Sequence, residues 1–433
     1  MGTDAMTLQE MARRARDASI ALATMSRDAK DTALEAVASA LESHSSEIVD
    51  ANRTDLARSE NEGLAPVLLK RLKFDDAKLA DAIDEMRALR TLDDPCGQVL
   101  SARELDAGLV LKQITVPIGV LGIVFESRPD ALVQISALAL KSGNAVLLKG
   151  GSEASETNRV LARVIYDAGL DAGLPAGWLG LLETREDVSA MLALDDTIDL
   201  IIPRGSNAFV KYIMDNTRIA VLGHADGICH TYIHSDAEMG MALEIAMDAK
   251  CQYPAVCNAT ETLLVDAAVA SEFLPVFAHA CADREVELRG CDRTRAIIEC
   301  LDATEQDWST EYNDLILSVR VVDGLDDAIA HINRYGSGHT DAIITDDESV
   351  AREFMVRVDS ADVFWNCSTR FADGFRYGLG AEVGISTNKI HARGPVGLEG
   401  LVIYKWQLVG QGHVVADYAN GTRSFTHRSL DAE

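Results

Sequence analysis

The feature of this sequence that most constrains its fold is a regular alternation of short apolar runs with amphipathic stretches. The run from Val116 to Phe125 is almost wholly apolar, as expected for a strand that is buried on both faces. Strand and helix patterns then alternate as far as Asn216, which predicts parallel β-α-β units in an open α/β sheet. The predicted strands are 116–125, 145–148, 178–182 and 199–202, and the predicted helices are 131–140, 156–168, 188–194 and 207–216.

The segments around this alternating set predict further elements. Residues 7–60 and 64–89 carry apolar side chains at helical spacing. Residues 98–115 alternate on either side of a tight-turn signal, which predicts a β-hairpin. A second strand–helix alternation runs over 228–364, and the tail at 398–413 alternates enough to predict an edge strand. The chain is therefore expected to contain two α/β domains and a small β element.

Composition excludes several classes of partner. The 433 residues include 40 Lys and Arg against 68 Asp and Glu, a net charge of −28, so neither nucleic acid nor an anionic membrane surface is expected as a partner. No apolar run is long enough to span a bilayer, and residues 1–10 lack the pattern of a secretory signal. The 8 cysteines include no C-x-x-C pair, which favours reduced thiols and a cytoplasmic location.

Two strand–turn–helix segments predict a dinucleotide site. Lys149 is followed by Gly150, Gly151 and Ser152 at the end of the predicted strand 145–148. Gly205 and Ser206 follow the predicted strand 199–202. In an open parallel sheet these strand ends are where ligands dock, and a helix N-terminus there favours an anion. The alternative for Lys149 is a solvated side chain after an ordinary turn.

Other site motifs are missing from the sequence. It contains no G-x-G-x-x-G, no G-x-x-x-x-G-K-[ST] and no G-x-S-x-G. His230 and His234 are spaced to share a strand face, but no third ligand accompanies them, and no metal site is predicted. Cys251 and Cys257 flank a proline after a predicted helix, where each thiol is either reactive or a small buried hydrophobe.

Long ordered motifs give the chain a resemblance that extends from about residue 7 to about residue 415. It resembles the glutamate-5-semialdehyde dehydrogenases, or γ-glutamyl phosphate reductases, a proline-biosynthesis branch of the aldehyde dehydrogenase superfamily. Only the reductase is matched, without the kinase half of bifunctional relatives. The motifs are Phe125–Pro129, Leu140–Ala145, Ile202–Gly205, Tyr253–Asn258, Asn366–Phe371, Gly378–Val383 and His391–Leu401.

The resemblance implies an aldehyde-dehydrogenase-like α/β fold with three parts. A Rossmann-type nucleotide-binding domain is expected from residues 1–97, 116–227 and 365–398. A catalytic thiol domain is expected from 228–364. Residues 98–115 and 399–433 are expected to form a β flap that mediates oligomerisation into a homodimer or homotetramer.

The resemblance also implies a reaction and a nucleophile. Cys257 matches the superfamily nucleophile, and the backbone amides of Cys257 and Asn258 match its oxyanion donors. The implied reaction is reduction of L-glutamyl 5-phosphate by NADPH through a Cys257 thioester, which yields L-glutamate 5-semialdehyde and phosphate in proline biosynthesis. A transient contact with glutamate 5-kinase, the source of this acyl phosphate, is expected as well.

One position separates this reaction from aldehyde oxidation. Hydrolytic relatives carry a glutamate base that activates water against the thioester, and Val221 occupies that position here. Two alternatives stay open: a hydrolytic NAD(P)-dependent aldehyde dehydrogenase, against which Val221 argues, and a catalytically inert structural homologue, against which the intact Cys257, Lys149 and Glu311 argue.

Ligand contacts follow from the same resemblance. The expected cofactor is NADPH or NADP, and the residues that match its binding positions are Lys149, Ser152, Gly205, Ser206 and Glu311. The substrate carries a phosphate and an α-carboxylate, which suit arginine. The arginines in the branch-specific motifs, and hence the expected substrate contacts, are Arg128, Arg370 and Arg393.

Overall fold

A computed structural model describes residues 6–126 and 128–431, except for the side chains of Val67 and Arg185. Residues 1–5, 432 and 433 of the predicted end segments, and Ser127 of a predicted motif, lie outside the described residues. No helix within this described part is long and apolar enough to cross a membrane.

The first part of the chain opens with a layer of helices. The interval 64–89, predicted as one helix, contains two, because Asn52 holds the chain in a break between them. The Asn52 amide donates to the Leu72 carbonyl at 2.9 Å and accepts from the Phe74 N–H at 2.8 Å. Phe74 is fully buried in this break. The helices are α1 (Leu8–Leu22), α2 (Arg27–Ser43), α3 (Ser45–Asn61), α4 (Pro66–Leu72) and α5 (Asp76–Thr91).

These helices pack onto a parallel sheet with the strand order β5-β4-β3-β6-β7. Every residue of β3 is buried, as its apolar sequence predicts. The strands are β3 (Val120–Phe125), β4 (Ala145–Lys149), β5 (Leu179–Leu182), β6 (Leu200–Arg204) and β7 (Ala220–Val221). The helices between them are α6 (Pro129–Lys141), α7 (Ser155–Asp171), α8 (Arg185–Met191) and α9 (Asn207–Asp215), with a 3₁₀ turn at Ser152–Ala154.

The predicted strand 116–125 is interrupted before Val120. Gly119 has φ 133°, and a Cβ there would lie 2.2 Å from the Asp199 carboxylate. That carboxylate accepts the Val120 N–H at 2.8 Å. The run therefore ends one strand of a different sheet and starts β3, because the Asp199 contact and the glycine conformation redirect the chain at this point.

A second parallel sheet follows, with the order β11-β10-β12-β9-β8-β13-β14. Its central strands bury all their residues and are covered by two apolar clusters. The strands are β8 (Cys229–Ile233), β9 (Thr260–Asp266), β10 (Glu287–Gly290), β11 (Leu301–Asp302), β12 (Ile316–Val322), β13 (Thr340–Ile344) and β14 (Asp362–Trp365). The helices are α10 (Met239–Cys251), α11 (Ala267–Ala282), α12 (Asp292–Arg295), α13 (Leu325–Tyr335) and α14 (Glu348–Arg357), with 3₁₀ turns at Asp307–Ser309 and Thr369–Phe371.

An antiparallel sheet with the order β17-β2-β1-β18 joins the hairpin to the C-terminal segment. Its β17 is an edge strand whose residues after the first are all exposed. The strands are β1 (Val99–Asp106), β2 (Leu109–Pro117), β17 (Val402–Val409) and β18 (Arg428–Leu430). The remaining elements are a two-stranded ladder of β15 (Gly384–Ser386) and β16 (Gly394–Val396), a 3₁₀ turn at Leu398–Leu401, and α15 (Val415–Ala419).

Candidate active site

The thiol of Cys257 lies in the turn between α10 and β9, where the residue is half-buried. This turn packs against the backbone of Gly227, in the segment that connects the two parallel sheets. A Cβ at Gly227 would lie 2.3 Å from the Cys257 carbonyl oxygen and 2.4 Å from its Cα. Only glycine permits so close an approach of two backbones. The contact therefore fixes where the Cys257 turn meets the connecting segment.

A buried ion pair holds both ends of the same turn. Lys250, near the end of α10, and Glu261, near the start of β9, are 1% and 0% exposed, and Nζ lies 2.6 Å from Oε2. Burial raises the pKa of Glu261 to about 7, against the opposing effect of the Lys250 ammonium. The Glu261 carboxylate also accepts the Asn313 N–H at 3.2 Å. The pair thus fixes the ends of the turn that presents Cys257.

A cavity of about 480 Å³ opens beside Cys257, between the two parallel sheets. Its size is within the usual range for a site that binds a small molecule. The lining combines strand ends of the first sheet with the Cys257 turn and with the loop before β15. The polar or reactive residues of the lining include Glu126, Arg128, Arg204, Ser206, His224, Cys257 and Glu382.

Two histidines from distant segments flank Cys257. One ring nitrogen of His224, one of His339 and the Cys257 Sγ all lie within 4.8 Å of one another. Nδ1 of His224 lies 2.9 Å from the Ile385 carbonyl oxygen. Because a carbonyl only accepts, Nδ1 carries the proton and the lone pair of the neutral ring is on Nε2. The Ile385 carbonyl therefore orients His224 as a proton acceptor.

The backbone of the Cys257 turn offers hydrogen-bond donors. Among the residues that the structure describes, neither the Cys257 N–H nor the Asn258 N–H has a hydrogen-bond partner. The Asn258 side chain is 4% exposed and donates to the Ala372 carbonyl at 2.7 Å, which ties the turn to the loop after Thr369–Phe371. Free amides at a fixed turn can stabilise a negative oxygen formed next to the thiol.

The structure places the three predicted substrate arginines differently. Arg128 lines the cavity at the start of α6 and is exposed to it. Arg370 is 8% exposed and donates from Nε to the Gln252 side chain at 3.0 Å. Burial lowers the pKa of Arg370, and Arg376 adds to this, whereas an anionic Cys257 sulfur opposes it. Arg393 lies outside the cavity lining, where it pairs with Asp359 at 3.3 Å.

Arg204 and Glu382 are cavity residues to which the sequence analysis gave no role. Arg204 ends β6, and its guanidinium donates to the Gln134 side chain at 3.4 Å. Burial, with Arg128 close by, lowers the pKa of Arg204, while Glu382 acts in the other direction. Burial also raises the pKa of Glu382, although its carboxylate accepts the Gly374 N–H at 2.8 Å. Both residues lie inside motifs that carry the resemblance, and for Arg204 the available signal was a charged residue at the end of an apolar strand.

Gly205 and Ser206 join β6 to α9 at the cavity wall. The Ser206 N–H donates to the Glu126 carboxylate at 3.3 Å, and a Cβ at Gly205 would lie 3.0 Å from the same carboxylate. A side-chain anion thus occupies the turn where the sequence predicts a phosphate. Beside it, Asn207 donates to Glu311 at 2.5 Å, so Glu311, from the second sheet's domain, reaches this turn.

Lys149 and Ser152 lie at the end of β4, on the same edge of the sheet but outside the cavity lining. Lys149 is 6% exposed, and its Nζ donates to the Gly150 carbonyl at 2.5 Å. Ser152 is exposed. Below the turn, the Oδ1 of Asn158 is buried without a hydrogen-bond partner among the described atoms. The turn therefore combines a buried cation, an exposed hydroxyl and an unused acceptor.

The sequence and the fold both match known proteins. The profile of the Aldehyde dehydrogenase family matches residues 2–292. A gamma-glutamyl phosphate reductase of Pelotomaculum thermopropionicum is 61% identical over 428 residues, which cover 99% of each chain. One of Natronomonas pharaonis is 53% identical, over 97% of each chain.

Solved structures extend the comparison. The crystal structure of a gamma-glutamyl phosphate reductase from Thermotoga maritima has a TM-score of 0.92 at 38% identity, over 94% of this chain and 99% of that one. An acetylating aldehyde dehydrogenase from Geobacillus thermoglucosidasius, at 16% identity and a TM-score of 0.63 over 94% of this chain and 97% of that one, shares the fold. The predicted fold class is thereby confirmed. The chain belongs to the aldehyde dehydrogenase family, in its gamma-glutamyl phosphate reductase branch, and is an oxidoreductase.

Proposed function

We propose that this protein reduces L-glutamyl 5-phosphate to L-glutamate 5-semialdehyde with NADPH and releases phosphate, as a step of proline biosynthesis. The observation that carries the proposal is the position of Cys257. Its thiol borders a cavity that is also lined by Arg128 and Arg204, neither of which has an acidic partner within ion-pair distance among the described residues. A nucleophile beside unpaired arginines suits a substrate whose reactive carbonyl carries a phosphate.

The first step is attack by the Cys257 sulfur on the γ-carbonyl carbon. His224 accepts the thiol proton at Nε2, because its Nδ1–H is held by the Ile385 carbonyl at 2.9 Å. A C–S bond forms and the C–O bond to phosphate breaks, so the electron pair leaves with the phosphate and a thioester remains on Cys257. The free amides of Cys257 and Asn258 stabilise the oxyanion before phosphate leaves.

The substrate's anionic groups are assigned to the arginines around Cys257. Arg128 and Arg204 line the cavity, and Arg370 lies where the charge on Cys257 affects its pKa. We assign the phosphate and the α-carboxylate to this set. Arg393 was predicted as a further contact, and it would have to leave Asp359 to take that role.

The turns at the ends of β4 and β6 fit a nicotinamide dinucleotide, the cofactor class of the family. The Ser206 amide donates to the Glu126 carboxylate, so a dinucleotide phosphate would bind this amide in place of that carboxylate. Lys149, Ser152 and the unused Asn158 Oδ1 would hold the adenosine ribose and a 2′-phosphate, which favours NADPH, and Glu311 would hold the nicotinamide ribose. When bound, the cofactor supplies the hydride that converts the thioester to a hemithioacetal. Collapse of that adduct breaks the C–S bond, which releases the aldehyde and the Cys257 sulfur.

The surroundings of Val221 support reduction over hydrolysis. Val221 is 9% exposed in β7, and its carbonyl accepts from the Asn388 side chain at 2.7 Å. A buried valine cannot deprotonate water, so no base at this position drives thioester hydrolysis. The thioester therefore reacts with hydride in the reductive direction and with phosphate in the reverse reaction.

The exposed side of β17 supports the predicted homo-oligomer. Tyr404, Trp406 and Leu408 are 53%, 55% and 57% exposed on an edge strand with free backbone groups. We propose that the sheet of β1, β2, β17 and β18 forms the subunit contact of a homodimer or homotetramer. Light scattering of the wild type and of a Trp406→Glu variant tests this: the variant should dissociate, and an unchanged mass would refute the assignment.

The reverse reaction tests the chemistry. Glutamate semialdehyde, NADP⁺ and phosphate are supplied to the wild type, to Cys257→Ala and to the matched control Cys251→Ala. NADPH should appear only with phosphate present and only when Cys257 is intact. Turnover by Cys257→Ala would refute the thioester, and turnover without phosphate would favour the hydrolytic alternative.

A further inference from the structure

Three side chains, two of which line the cavity, form a donor set for a metal ion. His224, Cys257 and His339 each offer one ligand atom, and these atoms lie within 4.8 Å of one another. They come from the β7–β8 connection, the turn before β9 and the residue before β13, so the tertiary fold brings them together. A modest side-chain movement would bring the three atoms to the spacing of a metal's ligands.

The donors are available for such an ion. The Nδ1–H of His224 is taken up by the Ile385 carbonyl, which leaves Nε2 as the ligating nitrogen and supplies the outer hydrogen bond that metal-bound histidines usually make. His339 is fully buried, and its Nε2 has no partner among the described atoms. Its Nδ1 lies 2.7 Å from the Thr340 hydroxyl. An unpartnered buried ring nitrogen on one of the three residues is a second observation that favours a ligand here.

The chemistry of the donors selects the ion. One thiolate and two imidazoles suit Zn²⁺ or Co²⁺, whereas Mg²⁺ and Ca²⁺ require oxygen ligands, and the cluster offers none from a side chain. Arg204 and Arg128 oppose a cation in this cavity, but loss of the thiol proton and the nearby Glu382 carboxylate reduce the net charge.

We propose that His224, Cys257 and His339 bind Zn²⁺ reversibly and thereby mask the nucleophile. In this step a bond forms between the Cys257 sulfur and zinc, and the thiol proton is released to solvent; no electron is transferred. The masking role rests on the proposed function, since it assumes that Cys257 is the nucleophile, whereas the binding itself does not. The sequence analysis predicts no resident metal. The proposal agrees with this, because the Zn²⁺ proposed here is a reversible inhibitor that a chelator removes.

The test is a cobalt titration of the apoprotein in excess Mg²⁺, read by absorption. Co²⁺ should bind at one per chain and give a thiolate-to-cobalt charge-transfer band that Cys257→Ala lacks. His339→Gln should bind at least about 10-fold more weakly, whereas His279→Gln, at an exposed histidine, should match the wild type. Zn²⁺ should also slow iodoacetamide labelling of Cys257 in the wild type. This labelling readout keeps the test valid if His339→Gln fails to fold.

The outcomes separate the two proposals. A charge-transfer band that persists in Cys257→Ala, or labelling of Cys257 at the same rate with and without Zn²⁺, would overturn the metal site. Neither measurement needs turnover. If cobalt binds through Cys257 but the reverse reaction does not depend on Cys257, the proposed function fails and the metal site stands.

Discussion

Arginines in two regions of this molecule have opposite surroundings. Beside the first parallel sheet, the half-buried Arg16 donates two hydrogen bonds of 2.8 and 2.9 Å to the Asp199 carboxylate. In the cavity, Arg128 and Arg204 have no carboxylate within ion-pair distance among the described residues, although the chain carries a net charge of −28. A guanidinium stays charged in a protein, so one without a carboxylate partner keeps a positive charge that a ligand anion can bind. The paired arginines hold the fold together, whereas the cavity arginines are available to a ligand anion.

The largest expected effect is that of Arg204→Gln. The variant loses charged hydrogen bonds to the substrate worth about 3 kcal/mol in total, so kcat/KM should fall about 150-fold. The free energy of unfolding should stay the same or rise, because a half-buried charge without a carboxylate partner is removed. Steady-state kinetics and urea denaturation measure the two quantities.

Arg13→Gln is the matched control, since Arg13 lies exposed on α1. It should leave kcat/KM unchanged, and Arg204→Lys should recover part of the lost activity. An Arg204→Gln enzyme with kcat/KM within about threefold of the wild type would place Arg204 among the structural arginines.

Arg128→Gln should have a smaller effect on the same reaction. Arg128 is exposed to the cavity, where water competes for its hydrogen bonds. A loss of about 2 kcal/mol corresponds to about a 30-fold fall in kcat/KM. If Arg128 contacts the phosphate, inhibition by inorganic phosphate should weaken in parallel. A normal phosphate inhibition constant together with a raised KM would assign Arg128 to the α-carboxylate.

Only part of the candidate site could be predicted from the sequence. Cys257 and Arg128 were predicted as site residues from the motifs of the family resemblance, and the two strand–turn–helix segments were predicted from residues directly after apolar strands. The joint position of His224 and His339 beside Cys257 was not predicted. It depends on how the two parallel sheets pack, and no local pattern in the chain encodes that packing.

The fold shows the same limit. Periodicity correctly predicted the buried strand β3 and the helix α6, since each follows from local side-chain patterning. It missed the break between α4 and α5, because that break depends on hydrogen bonds from Asn52 in a different helix. It also predicted a single strand over 116–125, where the structure has the end of β2 and the start of β3. The break between these strands depends on the hydrogen bond from the Val120 N–H to Asp199.

His331 responds to burial differently from the arginines, because a histidine can become neutral whereas an arginine stays charged. Burial, with His230 and Arg320 close by, lowers the pKa of His331 to about 2. Its Nδ1 accepts from the Arg320 guanidinium at 3.0 Å, which requires the neutral ring. In the unfolded chain a histidine titrates near pH ~6.5. Below that pH the unfolded state binds a proton that the native state does not, so stability falls as pH falls.

The wild type should therefore lose about 1.3 kcal/mol more unfolding free energy between pH 7 and pH 5.5 than His331→Gln does. Urea denaturation at the two pH values measures this difference. Parallel pH dependence in the two proteins would mean that His331 is protonated in the native state.

The smallest effect is expected for Arg393→Gln, and it tests the boundary between the two sets of arginines. Arg393 pairs with Asp359 and also donates to the backbone carbonyls of Asp359 and Thr387, at 3.1 and 3.3 Å. Lys389 binds the same carboxylate at 2.5 Å and provides the matched control. If Arg393 is a paired arginine, both Arg393→Gln and Lys389→Gln should lose about 1 kcal/mol of unfolding free energy or less, with kcat/KM within about threefold of the wild type. If Arg393 instead leaves Asp359 to contact the substrate, only Arg393→Gln should lower kcat/KM, by 10-fold or more on the scale of one charged hydrogen bond. That result would extend the cavity set beyond the cavity wall and restore the substrate role that its motif predicts.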